Sequence, residues 1–102
     1  MSKRHAVTAL IYDRRGRVIS VGQNSYIKTH PLQAKHAKKV GEDEKIYLHA
    51  EISAISKCKD LTKAHRIFII RYDANGNPTL AKPCEVCQSA ISETPIKIVE
   101  HT

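Results

Sequence analysis

Tryptophan is absent from this 102-residue chain, and phenylalanine occurs once, at Phe68. The core must therefore be aliphatic, without the aromatic plates that dominate many small domains. Long apolar runs are missing as well: Ile67 to Ile70 is typical of the longest, far short of the roughly 20 residues a bilayer demands. No membrane span is expected. The basic start, Met1 to His5, is soon followed by Asp13, Arg14 and Arg15, a pattern no cleavable leader fits, so the sequence reads as cytoplasmic. Three cysteines are an odd number, which excludes a fully paired disulfide framework. Cys58 stands alone on an expected helix and reads as a small buried hydrophobe. Acidic residues are also scarce, 10 against 17 lysines and arginines, and the net charge of +7 favours phosphate-bearing partners. Much of the excess lies in Lys28, Lys35, Lys38, Lys39, Lys45, Lys57, Lys59 and Lys63, between the second and third expected strands.

What is present suits one domain spanning residues 1–102, with a modest core that a metal or an oligomer interface would help to hold. Apolar residues at 41% and charged residues at 26% exclude a disordered chain. Ala6 to Tyr12 and Val18 to Gln23 alternate around Asp13-Arg14-Arg15-Gly16-Arg17, which predicts a β-hairpin. Asn24 to His30 reads as a loop. Pro31 and Gly41 bound a short helix, and Glu42 to Lys45 is a charged connection. Leu48, Ile52 and Ile55 repeat at helical spacing within Ile46 to Lys59, while Ala50 and Ala54 keep one side slim enough to lie close to a sheet. Arg66 to Arg71 predicts a buried strand, and Asp73 to Pro78 is dense in turn formers. A helix over Cys84 to Glu93, ended by Pro95, leads to a last strand, Ile96 to Glu100. The order β-β-α-α-β-α-β implies a three-layer α/β/α domain with a mixed sheet of about four strands, those joined by helices being parallel.

Chemistry concentrates in His49, Cys84 and Cys87. Two thiolates and an imidazole suit zinc and leave a fourth tetrahedral position open, as catalytic sites do. Cys84 and Cys87 share one side of a helix start, where the dipole favours anionic sulfur. His36 and His65 fall in no familiar ligand pairing with His49. Glu51, two positions beyond His49, does not share its stripe, so it is a poorer ligand than a base that relays protons near neutral pH. Singly these signals are weak: His-x-Glu occurs on many surfaces, and Cys-x-x-Cys also reads as a redox pair or half of a structural metal site. Together, His49-Ala50-Glu51 and Pro83-Cys84-Glu85-Val86-Cys87 open successive helices with a strand between.

That combination resembles the H-x-E…P-C-x-x-C signature of the cytidine deaminase superfamily of zinc-dependent nucleobase deaminases, over about Ala6 to Val99. The resemblance implies His49, Cys84 and Cys87 as zinc ligands and Glu51 as the proton-shuttling acid. Gly22-Gln23-Asn24 is similar to the stretch whose asparagine holds the substrate. The Ala50 N–H and the carbonyl region around Pro83 would line the base pocket, and Tyr26 is the best stacking residue for a strand. The chain departs from the family in lacking a helix before the first strand and a strand after the fourth, and the under-covered sheet implies a homo-oligomer. Leu48 before His49 and the lysine-rich insertion favour a phosphorylated cytosine nucleotide such as deoxycytidylate. Alternatives are a deaminase of cytosine or adenine in single-stranded nucleic acid or tRNA, and a zinc-bearing interaction module without turnover.

Overall fold

Apolar alternation in the first third of the chain produces two paired strands, β1 (Ala6–Tyr12) and β2 (Val18–Gln23). They run antiparallel, with Leu10 opposite Val21 and a bulge at Ile11/Tyr12. The turn between them closes as expected: Gly16 takes φ +80°, and the Asp13 carboxylate accepts from the Arg15 and Arg17 amides at 2.9 and 3.0 Å. The structure, a computed structural model, describes residues 6–25, 29–41 and 48–102.

Strand β3 (Arg66–Tyr72) pairs antiparallel with β1, placing Ile67 beside Ile11 and Ile69 beside Ala9. These residues are almost wholly buried and form one face of the sheet. Beyond β3 the turn Asp73–Asn77 folds back, with Gly76 at φ +82° and the Asp73 carboxylate holding the Asn75 and Asn77 amides. It delivers a two-residue strand, β4 (Pro78–Thr79), onto the outer edge of β3. The expected sheet of about four strands thus has a fifth. Proline had marked that segment as turn, because proline lacks an N–H and is confined to strand edges. The last strand, β5 (Ile98–His101), pairs parallel with the first half of β3, as a helix-linked strand should.

Among the described residues, three α-helices follow the expected order. Helix α1 (Pro31–Lys39) ends before Gly41, whose φ of +77° suits the residue after a helix. Helix α2 (Ala50–Lys57) is shorter than the Ile46 to Lys59 span read from periodicity. Leu48 precedes the helix, His49 is its extended N-cap, Ile46 and Tyr47 lie outside the described residues, and Cys58 is a half-buried C-cap rather than a fully buried helical residue. Helix α3 (Glu85–Ser92) starts one residue later than expected, with Cys84 as its N-cap.

The slim side of α2 behaves as its sequence predicts. Ala50 and Ala54 lie on β2, where an added Cβ at Gly22 would fall 2.2 Å from the Ala54 nitrogen and 2.4 Å from the Ala50 oxygen. Ser20 ties the two elements by donating to the Ala54 carbonyl at 2.7 Å. Ile52 and Ile55 of α2 and Val86, Ala90 and Ile91 of α3 complete an aliphatic core with Ile11, Ile67 and Ile69. α1 packs chiefly on α3. The result is the mixed-sheet α/β arrangement expected, except that among the described residues the helices lie together over the buried face instead of forming a layer on each side. On the other face Leu10, Phe68 and Ile70 are only half-buried and Val21 is exposed.

Candidate metal centre

Both metal-ligand motifs sit at helix starts because each supplies the residue just outside its helix. His49 is the N-cap of α2 in extended conformation (φ −85°, ψ 156°), and its carbonyl accepts from Ser53 at 2.9 Å to begin the helix. Its imidazole makes no capping bond. Instead Nδ1 lies 3.5 Å from the Cys84 sulfur and 3.3 Å from the Cys87 sulfur. Cys84 likewise is the N-cap of α3 (φ −71°, ψ 171°), and Cys87 follows in the first turn, fully buried.

The spacing fits a tetrahedral ion. Zinc bonds of about 2.3 Å to sulfur and about 2.0 Å to nitrogen, opened to the tetrahedral angle, put sulfur and nitrogen about 3.5 Å apart. All three donor atoms lie within 4.8 Å of one another, and among the described residues no fourth histidine, cysteine or carboxylate joins them. Soft thiolates with one imidazole are a donor set for zinc, with one corner left over.

The electrostatics are those of a site primed for a cation. Hydrogen bonding from the Cys87 thiol, helped by His49, lowers the Cys84 thiol to about 3. The same shared bond and burial push Cys87 far upward. The two shifts run in opposite directions because the sulfurs share one hydrogen bond, and a zinc ion would require both to be deprotonated. Glu51, 6% exposed in the first turn of α2, is raised by burial, and its carboxyl meets the Cys87 thiol. It stands outside the donor trio, as expected of it, although the reason differs: His49 precedes the helix that Glu51 occupies.

Three supporting residues escaped sequence reading. Gln33 of α1 is wholly buried, and its side-chain oxygen accepts from the His49 amide at 3.2 Å, anchoring that ligand's backbone. A polar residue among the few inward positions of α1 was the available signal. Gln88 donates to the Pro83 carbonyl at 2.8 Å and so fixes the approach to Cys84. Gly22, noted only as part of a substrate-binding stretch, lets α2 reach the sheet.

Of the expected substrate residues, Asn24 lies at the same end of the sheet, its side-chain oxygen accepting from Val7 at 3.0 Å. Ala50 is the first residue of α2 and buried. Tyr26 lies outside the described residues. His36 is turned away, its Nδ1 2.8 Å from Ser89 and its Nε2 2.9 Å from Glu93.

The family model for the cytidine and deoxycytidylate deaminase zinc-binding region matches residues 1–101. The chain belongs to this deaminase family. A comparison with curated proteins finds no match. For a member of this family the cluster has an immediate meaning: His49, Cys84 and Cys87 are placed to hold the zinc of a zinc-dependent deaminase domain. The deaminase family acts on nucleotide or nucleic acid substrates, and among the described residues no helix is long and apolar enough to cross a membrane.

Proposed function

We propose that this single domain hydrolyses the exocyclic amine of cytosine in a nucleotide, deoxycytidylate being the first substrate to try, with Glu51 as the proton carrier. The observation that carries this is one buried carboxyl beside a donor trio that leaves a tetrahedral corner for solvent. Zinc, when bound, supplies the Lewis acidity that makes water a competent nucleophile near neutral pH. Glu51 accepts a proton as water oxygen attacks C4, delivers it to the ring nitrogen, and returns the next one to the departing amine. Water and cytosine become uracil and ammonia, with Glu51 restored. The Asn24 carboxamide, set in position by β1, and the Ala50 N–H, at the start of α2, orient the nucleotide, and Tyr26, two residues beyond Asn24 in sequence, is the residue to test for stacking. The protein works in the cytoplasm, where reducing conditions keep Cys84 and Cys87 as thiols.

A second reading, favoured by the +7 charge, is the same reaction on an unpaired base within a strand. An ammonia-release screen over nucleosides, nucleotides and short single strands separates them. Glu51→Gln is expected to keep its zinc and lose turnover by at least about a hundredfold. Zinc-loaded wild type that releases no ammonia from any substrate would establish a non-catalytic module instead. The exposed Val21, Ile98 and Val99 along β2 and β5 support assembly with further copies. Sedimentation at micromolar concentration is expected to show more than a monomer.

A further inference from the structure

At the end of the sheet away from the metal cluster, three separate segments line an open concave site of about 370 Å³. The β1–β2 turn contributes Arg14, Arg15 and Arg17, the connection into β3 contributes Lys63 and His65, and the connection into β5 contributes Lys97. Backbone bonds lock these walls together: His65 N–H donates to the Tyr12 carbonyl at 2.9 Å, and Lys97 N–H donates to the His65 carbonyl at 2.9 Å. The one acid in the lining, Asp13, is spent internally on the Arg15 and Arg17 amides and, at 2.9 Å, on the Arg17 guanidinium. Among the described residues no acid pairs with Arg14, Arg15 or Lys97. Asp60 nearby is bonded to the amide and hydroxyl of Thr62.

The position matters as much as the charge. The metal cluster lies where Asn24 meets Val7 and Ser25 meets Leu48, whereas Tyr12 leads into the basic cavity. Those two ends of β1 are roughly 17 Å apart at the usual strand rise. The phosphate of a single nucleotide whose base is at the metal centre does not span that gap. Among the described residues no tyrosine or phenylalanine lines the cavity, so it has no broad platform for stacking a base. Size, rigidity and unpaired guanidinium groups instead match adjacent phosphates.

We infer that this cavity is a second anion site, which binds consecutive phosphates of a ligand independently of the base at the metal centre. A nucleic acid strand and a free polyphosphate chain offer the same chemistry, and two probes distinguish them. One is labelled oligothymidylate, which has no exocyclic amine to lose. The other is inorganic tripolyphosphate. Binding is measured by anisotropy and calorimetry at several salt concentrations on zinc-loaded protein. The combined variant Arg14→Gln, Arg15→Gln, Lys97→Gln is expected to bind about tenfold more weakly than wild type. Its salt dependence for oligothymidylate should fall by about 2 in logarithmic slope, near 0.7 for each phosphate that is no longer neutralised.

Loss confined to oligothymidylate identifies a strand, and loss confined to tripolyphosphate identifies a free polyphosphate. Lys35→Gln, Lys38→Gln, Lys39→Gln on α1 carries the same charge change elsewhere. If it weakens binding as much, or if the first variant binds both probes like wild type, or if wild type binds neither, the site does not exist. Asp13 is left intact in every variant so that the wall is preserved, and Lys97→Gln alone serves if the combined variant does not fold. Zinc content and ammonia release from a mononucleotide are expected to be unchanged, so a failure here is separate from a failure of the deaminase reading.

Discussion

Gly22→Ala tests whether the metal centre depends on how closely α2 lies against the sheet. Gly22 is not in the left-handed region, so alanine meets no conformational objection there. Restricting the unfolded chain would by itself stabilise the protein by about 0.4–1 kcal/mol. Space opposes it: the new methyl would lie 2.2 Å from the Ala54 nitrogen, 2.4 Å from the Ala50 oxygen and 2.8 Å from the Ala54 Cα. Ordinary contact begins near 3.4 Å, so α2 must retreat by about 1 Å. Overpacking of this kind costs about 1–3 kcal/mol, and backbone cannot rotate aside, which places Gly22 at the upper end. The steric cost outweighs the entropic gain by about 2 kcal/mol, a fall of roughly 8–16 °C in Tm for a domain this size. His49 and Glu51 move with α2, so zinc affinity should also fall at least about tenfold. Gly16→Ala is the control: it too loses about 1–2 kcal/mol, because φ is +80°, but it meets open space in the β1–β2 turn, at the other end of the sheet from the cluster, and should bind zinc normally. Thermal unfolding followed by circular dichroism and competition against a chromophoric chelator read both effects. A Gly22→Ala protein as stable as wild type, with unaltered zinc affinity, would refute the packing argument.

Removing the Gln33 side-chain oxygen leaves the His49 amide without that partner, so Gln33→Leu is expected to cost about 1–3 kcal/mol in denaturant unfolding and to weaken zinc binding. Cys87→Ser should abolish stoichiometric zinc in elemental analysis, whereas Cys58→Ser should retain it. Saturating zinc at about a thousandfold over its Kd adds about 4 kcal/mol, so chelation should lower Tm by at least about 15 °C in a calorimetric scan. Burial holds the His36 imidazole below its usual 6.5, against the pull of Glu93. The unfolded chain therefore takes up this proton first, and stability is present above about pH 6.5 and declines as pH falls below it. In paired melts across that range, His36→Gln should show a shallower decline than wild type.

Sequence alone reached the donor trio, because zinc needs particular residue types and these stand at short spacings in His49-Ala50-Glu51 and Cys84 to Cys87. The aliphatic core, the hairpin and the Gly41 stop were legible for the same local reason. Periodicity overran the start of α2, since Leu48 continues the stripe of Ile52 and Ile55 although it lies before the helix. β4 was hidden by Pro78, and Gln33 by the thin apolar side of α1. The basic cavity was illegible in principle. Arg14, Lys63 and Lys97 are remote in sequence, and only the pairing of β1, β3 and β5 gathers them.

His49 and Cys84 are 35 positions apart, and the stretch between them includes all of α2, β3 and β4. An ion shared by the two is a cross-link, closing a loop of that length much as a covalent bridge does. By chain-entropy reasoning, such a closure removes about 4 kcal/mol of freedom from the unfolded ensemble if the bond is held firmly. A small domain with a modest core and no disulfide thus gains, from the atom that serves its chemistry, a brace that reducing surroundings cannot cut.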